Sequence, residues 1–134
     1  MAFQYSVAVR NATLDPIEST IGASPILRLY SGTVPATTAT AASGTLLASG
    51  TLPSDWMNAA SSGTKTLLGT WTLTGAAAGS AGYFRVLDNA GTTVGIQGTV
   101  TATGGGGDMT LDNIVIAVSQ VVNITTFTLT AGGA

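Results

Sequence analysis

The sequence contains no histidine and no cysteine, and only 7% of its 134 residues are charged. These absences remove most of the usual catalytic groups. Acid–base chemistry near neutral pH rests on His or on carboxylates of shifted pKa, and thiolate or imidazole metal sites require Cys and His. Serines are plentiful, but none sits in a GxSxG elbow, and without His a Ser-His-Asp triad cannot be assembled. Glycosidase chemistry needs two carboxylates poised across a sugar cleft, and Glu18 and Asp55 have no evident partner along the chain. The expectation is a protein with no enzymatic activity, no cofactor and no metal.

The shortage of charge also bears on partners. Arg10, Arg28, Lys65 and Arg85 are scattered and the net charge is -2, so there is no basic patch to attract nucleic acid. No apolar stretch approaches the roughly 18 residues of a membrane helix, and the opening MAFQYSVAVR lacks a basic flank followed by an apolar run. A soluble chain made in the cytoplasm, without a membrane partner, is expected. The lack of Cys leaves the redox compartment undefined, and a chain of this length can build its core without disulfides. Charged residues make up about a quarter of an average domain. A surface of Thr, Ser, Ala and Gly repels its own copies poorly, so the protein is expected to form a homo-oligomer or to be covered by a larger body.

What the sequence does contain is β-type runs broken by glycine-rich turns. The stretches Ile26 to Tyr30, Thr45 to Leu52, Thr66 to Thr74, Tyr83 to Asp88, Thr92 to Thr103, Thr110 to Val118 and Val122 to Thr130 carry β-branched or aromatic residues. Leu67, Gly69, Trp71 and Leu73 alternate with threonines, which predicts a half-buried strand with Trp71 in the core. Ile124, Thr126, Thr128 and Thr130 oppose Thr125, Phe127 and Leu129. Asp88-Asn89-Ala90-Gly91 supplies turn chemistry. With no helical pattern between these runs, the fold class is all-β: a β-sandwich or jelly roll first, a barrel second. Residues 23–134 form the sandwich and 1–22 an N-terminal extended segment and short helix, in one globular domain overall. Thr33 to Gly44, with no core-forming run, reads as a loop free to lie over a neighbour.

In the N-terminal part, Phe3, Val7, Leu14, Ile17 and Ile21 fall at helical spacing, whereas Phe3, Tyr5, Val7 and Val9 alternate like a strand. Asp15-Pro16-Ile17-Glu18 offers an N-cap, a first-turn proline and a capping-box Glu, and Gly22 a C-cap. The expected structure is an extended segment followed by a helix from about Pro16 to Ile21, with a longer helix kinked at Pro16 as the alternative.

The stretches VRNATLDPIESTIGASPILRLYSG, TLPSDWM, QGTVTATGGGGDMT and TFTLTAGGA together resemble small proteins that tailed bacteriophages encode among their virion structural genes. In style the chain is similar to capsid decoration, or cement, proteins, which clamp the lattice of the major capsid protein and are often β-sandwich or jelly-roll folds. Pro16 departs from the more uninterrupted helical stretch of such relatives. The resemblance implies a virion structural protein on the outer capsid surface with the major capsid protein and itself as partners. The alternative is a tail or fibre component that recognises a host glycan or protein. No catalytic motif lies in these stretches, and no functional residue carries over from them.

Several local features invite sharper readings. Gly104 to Gly107 could suggest a phosphate loop, but a strand-like run follows instead of a helix, which favours a flexible strand connector. Asp108 and Asp112 could share a cation at a sheet edge, although two carboxylates are an incomplete calcium shell and solvated edge charges are the plainer reading. Trp56 and Met57 are candidate partner-contact residues, since Trp is enriched in interface hot spots, with capping of the sandwich core as the competing role. Phe3, Tyr5, Val7 and Val9 are candidates for an arm that adds as a strand to a neighbour's sheet.

Overall fold

A computed structural model describes residues 3–134. Among them are one helix, α1 (Val7–Ile21), and ten strands: β1 (Ile26–Ser31), β2 (Leu46–Thr51), β3 (Thr64–Thr66), β4 (Trp71–Gly75), β5 (Gly79–Leu87), β6 (Val94–Ala102), β7 (Met109–Leu111), β8 (Val115–Ile116), β9 (Val121–Ile124) and β10 (Thr128–Thr130). The main sheet runs β7-β6-β5-β1-β2-β4-β9, with β8 added to β5, and β3 and β10 form a separate ribbon. The expected all-β fold with a short N-terminal helix is present, as a sandwich-like sheet that nearly closes on itself.

Strand β1 lies at the middle of the sheet, antiparallel to β2 on one side and β5 on the other, and its Leu27 and Leu29 are fully buried. In β4, Trp71 and Leu73 point inward while Thr72 and Thr74 face out, as their alternation predicts. Phe127, just before β10, closes the core from the ribbon side. Its ring centroid lies 5.4 Å from that of Trp71 and 5.5 Å from that of Phe84. Such aromatic pairs are worth roughly 0.5–1.5 kcal/mol each beyond their buried area.

Three of the expected runs divide into two strands. Gly69, at φ +76°, turns the chain between β3 and β4. Asn113 accepts from the Val115 N–H between β7 and β8, and Thr125 and Thr126 separate β9 from β10. The last break also resets the alternation. Ile124 and Phe127, placed on opposite faces by simple period-2 counting, are both buried.

The turn at 88–91 forms as expected. The Asp88 carboxylate accepts from the N–H groups of Thr92 and Thr93, which holds it below its ordinary pKa, and Leu87 pairs with Val94 across the hairpin. Gly104 to Gly107 connects one strand to the next, β6 to β7, as expected. It folds the chain back so tightly that β7 pairs with β6 in parallel, Val100 opposite Met109, where such pairs usually need a crossover of a dozen or more residues. Gly104 and Gly106 take positive φ, and a Cβ on Gly105 or Gly107 would lie 2.8 Å from the Thr101 side chain. The Asp108 carboxylate secures this fold-back by accepting from the Thr99 N–H at 3.0 Å and its hydroxyl at 3.1 Å.

The 33–44 loop is tied to its own sheet and does not roam. Arg85, 4% exposed in β5, donates to the Thr40 carbonyl at 2.6 Å, and Gln97 in β6 donates to the Pro35 carbonyl at 2.8 Å. Tyr83, stacked on Tyr30, donates to the Ser43 carbonyl and accepts from the Ser43 N–H.

The N-terminal expectation requires correction. Helix α1 starts at Val7, capped by the Ser6 hydroxyl accepting from the Val9 N–H, and runs through Pro16 to Gly22, which ends it at φ +99°. Val7 and Val9 are therefore helical, and of the described residues ahead of them Phe3 to Ser6 are non-helical. Apolar alternation misleads here because Ser6 is a strong N-cap that nothing in a period-2 count registers. Asp15 and Glu18 are not capping residues; they face the rest of the chain. Pro16 supplies no N–H to the Ala12 carbonyl, one turn back. Pro16→Ala should therefore stabilise the protein. Of the roughly 3 kcal/mol helix-interior penalty, about 1 kcal/mol is offset by the freer unfolded chain, leaving about 2 kcal/mol and a melting temperature several degrees higher by scanning calorimetry.

Candidate functional site

The densest polar constellation lies where α1 meets the ribbon. Asn11, Asp15 and Glu18 recur at the 4 and 3 spacing that lines one helix face, and that face meets the 56–65 segment. Asn11 accepts from the Gly63 N–H at 2.9 Å and Asp15 from the Ala60 N–H at 2.8 Å. Glu18 Oε2 accepts from the N–H groups of both Trp56 and Met57 at 3.0 Å. Lys65, at the centre of β3, points inward because the strand alternation turns Thr66 outward. It is 2% exposed.

The ammonium of Lys65 lies 3.1 Å from Asp15 Oδ1, 3.3 Å from Glu18 Oε1 and 2.9 Å from the Asn58 carbonyl. An ammonium has three donors, and three acceptors surround this one. Asp15 is held below its ordinary pKa by the Ala60 N–H and then by Lys65. Burial raises the Glu18 carboxyl, but the hydrogen bond from Met57, with those of Asp55 and Lys65, outweighs it and leaves the group lowered. Asp55 is raised, chiefly by its hydrogen bond with Glu18. These groups border an open cleft of about 340 Å³ lined by Asp15, Glu18, Ser19, Gly22, Ser54 and Asp55. Chemically the arrangement is a clamp. Its ammonium is saturated, and both carboxylates that contact it also receive backbone donors.

The candidate partner-contact residues separate into two groups. Trp56 and Met57 are 0% and 1% exposed and belong to the core, so neither offers a surface anchor. Trp56 donates its indole N–H to the Gly22 carbonyl at 3.1 Å, while its own carbonyl accepts from the Trp71 indole at 3.1 Å. Desolvating an indole is tolerated when its N–H is satisfied in this way. Phe3, Tyr5, Val7 and Val9 are exposed, at 78%, 51%, 48% and 45%. The Tyr5 N–H donates to the Gly133 carbonyl, which ties this segment to the C-terminal residues. A four-residue strand arm is excluded, since Val7 and Val9 lie on α1. A second exposed apolar group, Val115, Val118 and Val121, surrounds the turn between β8 and β9 and was not apparent from sequence.

Glu18 and Asp55, unpaired along the chain, are thus partners in space, and Lys65 joins them across 47 residues of sequence. The signal available was the Asn11, Asp15, Glu18 stripe, a polar helix face with one too many inward-facing acids. Asp108 engages Thr99 as described, and among the described residues no group of three or more Asp, Glu, Cys or His is placed to hold a metal ion. No protein-family model, characterised protein or solved structure matches the chain.

Replacing Lys65 with methionine keeps the length of the side chain and removes the cation shared by Asp15 and Glu18. Breaking a largely buried ion pair by removing one partner costs on the order of 3–5 kcal/mol, and the partial exposure of the acids reduces this. Lys65→Met should lose about 2–4 kcal/mol in urea unfolding, with an unchanged m-value.

Proposed function

We propose that this chain is a non-enzymatic structural protein of a tailed-phage virion, a decoration protein made in the host cytoplasm that binds the outer face of the major capsid protein lattice. The observation that carries this reading is the exposure of Phe3, Tyr5, Val7 and Val9: four large apolar or aromatic side chains within a short stretch that has no charged residue. Exposed apolar clusters on a small domain mark interaction surfaces, and a chain with so little charge has few other means of specific attachment. The resemblance of its sequence to virion structural proteins supplies the partner. The contact is made by side chains at the start of a helix, and strand addition is not required.

Self-association belongs to the same proposal and rests on these exposed side chains. The terminal strands of the main sheet, β7 and β9, are only three and four residues long and offer little template for pairing by themselves.

The combined variant Phe3→Ser, Tyr5→Ser, Val9→Ser should melt within about 2 °C of the parent, as surface changes usually do, and fail to bind shells of the parent phage that lack the protein. Retained binding at full occupancy would overturn the assignment of this surface. In quantified gels of purified particles, copy number should follow the capsid lattice. A count matching the low-order symmetry of the tail would replace the decoration role with a tail or fibre role. Light scattering with size exclusion should show a dimer or larger species at about 10–50 μM, the range in which weak assemblies populate.

A further inference from the structure

We propose that α1 is a releasable element, held on the barrel by the Asp15, Glu18 and Lys65 clamp, which acid opens while the sheet stays folded. The inference is independent of the virion reading. Of the residues of α1 only Leu14 is buried, and the central core cluster contains no fully buried residue of the helix; Ile21 packs against its rim. The side-chain bonds from the helix to the rest of the chain come from Asn11, Asp15 and Glu18, joined at its end by the Gly22 carbonyl that receives the Trp56 indole. Two of those three side chains are carboxylates. The sheet has its own independent support in Leu27, Leu29, Trp71, Phe84 and Phe127. Local openings follow such differences in buried apolar contact.

The charged groups at this junction are Asp15 and Glu18 from the helix, Asp55 from the segment before β3, Lys65 from β3, and Arg10, whose guanidinium lies against Gly63. Asp15 and Glu18 are lowered in the folded state. Their contribution is complete above the ordinary carboxylate range and is lost as pH falls through their lowered folded values. Asp55 is raised, so its contribution is complete below its ordinary value and is lost as pH rises through the folded one, when two carboxylates come to face each other. The clamp is therefore tightest in the mildly acidic range, opens in stronger acid and loosens slightly towards neutrality.

Hydrogen exchange of the full-length protein, corrected for the intrinsic rate at each pH, tests this directly. Between about pH 5 and pH 3, protection of residues 7–21 should fall at least about tenfold, while β1 and β5 keep theirs. Trp56 emission should change over the same range as its indole loses the Gly22 carbonyl. Glu18→Gln should raise α1 exchange at pH 7 and shrink the acid step. Asp55→Asn, which retains a hydrogen-bonding side chain beside Glu18 without the second charge, should keep the acid step and slow α1 exchange at pH 7–8 relative to the parent. Simultaneous loss of protection in α1 and the strands, full α1 protection at pH 3, or an undiminished acid step in Glu18→Gln would each overturn the proposal. If Glu18→Gln does not fold, the parent and Asp55→Asn profiles decide it alone.

Discussion

A single buried ammonium holds three parts of this molecule in register. Lys65 sits on β3, half of the separate two-stranded ribbon, and its three acceptors belong to α1 and to the segment that carries Trp56. Trp56 in turn receives Trp71 of the main sheet on its carbonyl. The chain of contacts runs from charge to indole to indole, and it is anchored at both ends by groups that would be costly to leave unpaired. Burying one cation among two carboxylates and a carbonyl is a weak source of net stability. Its value here is positional, because it fixes which face of the helix meets the ribbon.

The same economy governs the few other charges. Arg85 is buried and binds carbonyls of the 33–44 loop, Asp88 binds the N–H groups of a turn, and Asp108 secures the fold-back between β6 and β7. Charges that most proteins leave in solvent are used as internal fasteners for irregular backbone, where unsatisfied polar groups would otherwise accumulate. The rest of the surface is mostly hydroxyls and small side chains, with a few carboxylates and exposed apolar residues among them. This distribution explains how a chain with so little charge can support long loops without disulfides.

Local chemistry was legible in the sequence wherever it was sufficient. The alternation around Trp71 and Leu73, the Asp88 turn and the Gly22 cap all appear where their residues predict, because each depends on neighbours within a few positions. The start of α1 was hidden by a competing period: Val7 and Val9 fit a strand as well as a helix, and only the Ser6 cap decides between them. The splitting of three long runs was hidden because Gly69, Asn113 and Thr125-Thr126 break strands where the two halves pair with different, distant partners. The Lys65 clamp was the least legible feature. Its members lie about 50 positions apart, and nothing in a Thr-Lys-Thr triplet says that the lysine faces inward until the strand's partner is known.

The fold-back through Gly104 to Gly107 also shortens the open edge of the main sheet. By returning beside β6 within a handful of residues, the chain covers Val100 to Ala102 of β6 with a strand of three residues whose neighbouring loop is already hydrogen-bonded. A sheet rich in Thr and Val, with almost no charge to keep copies apart, would otherwise present a long template for strand-to-strand growth, the route to fibrils. The glycine run thus covers the end of this β-ladder from within its own chain.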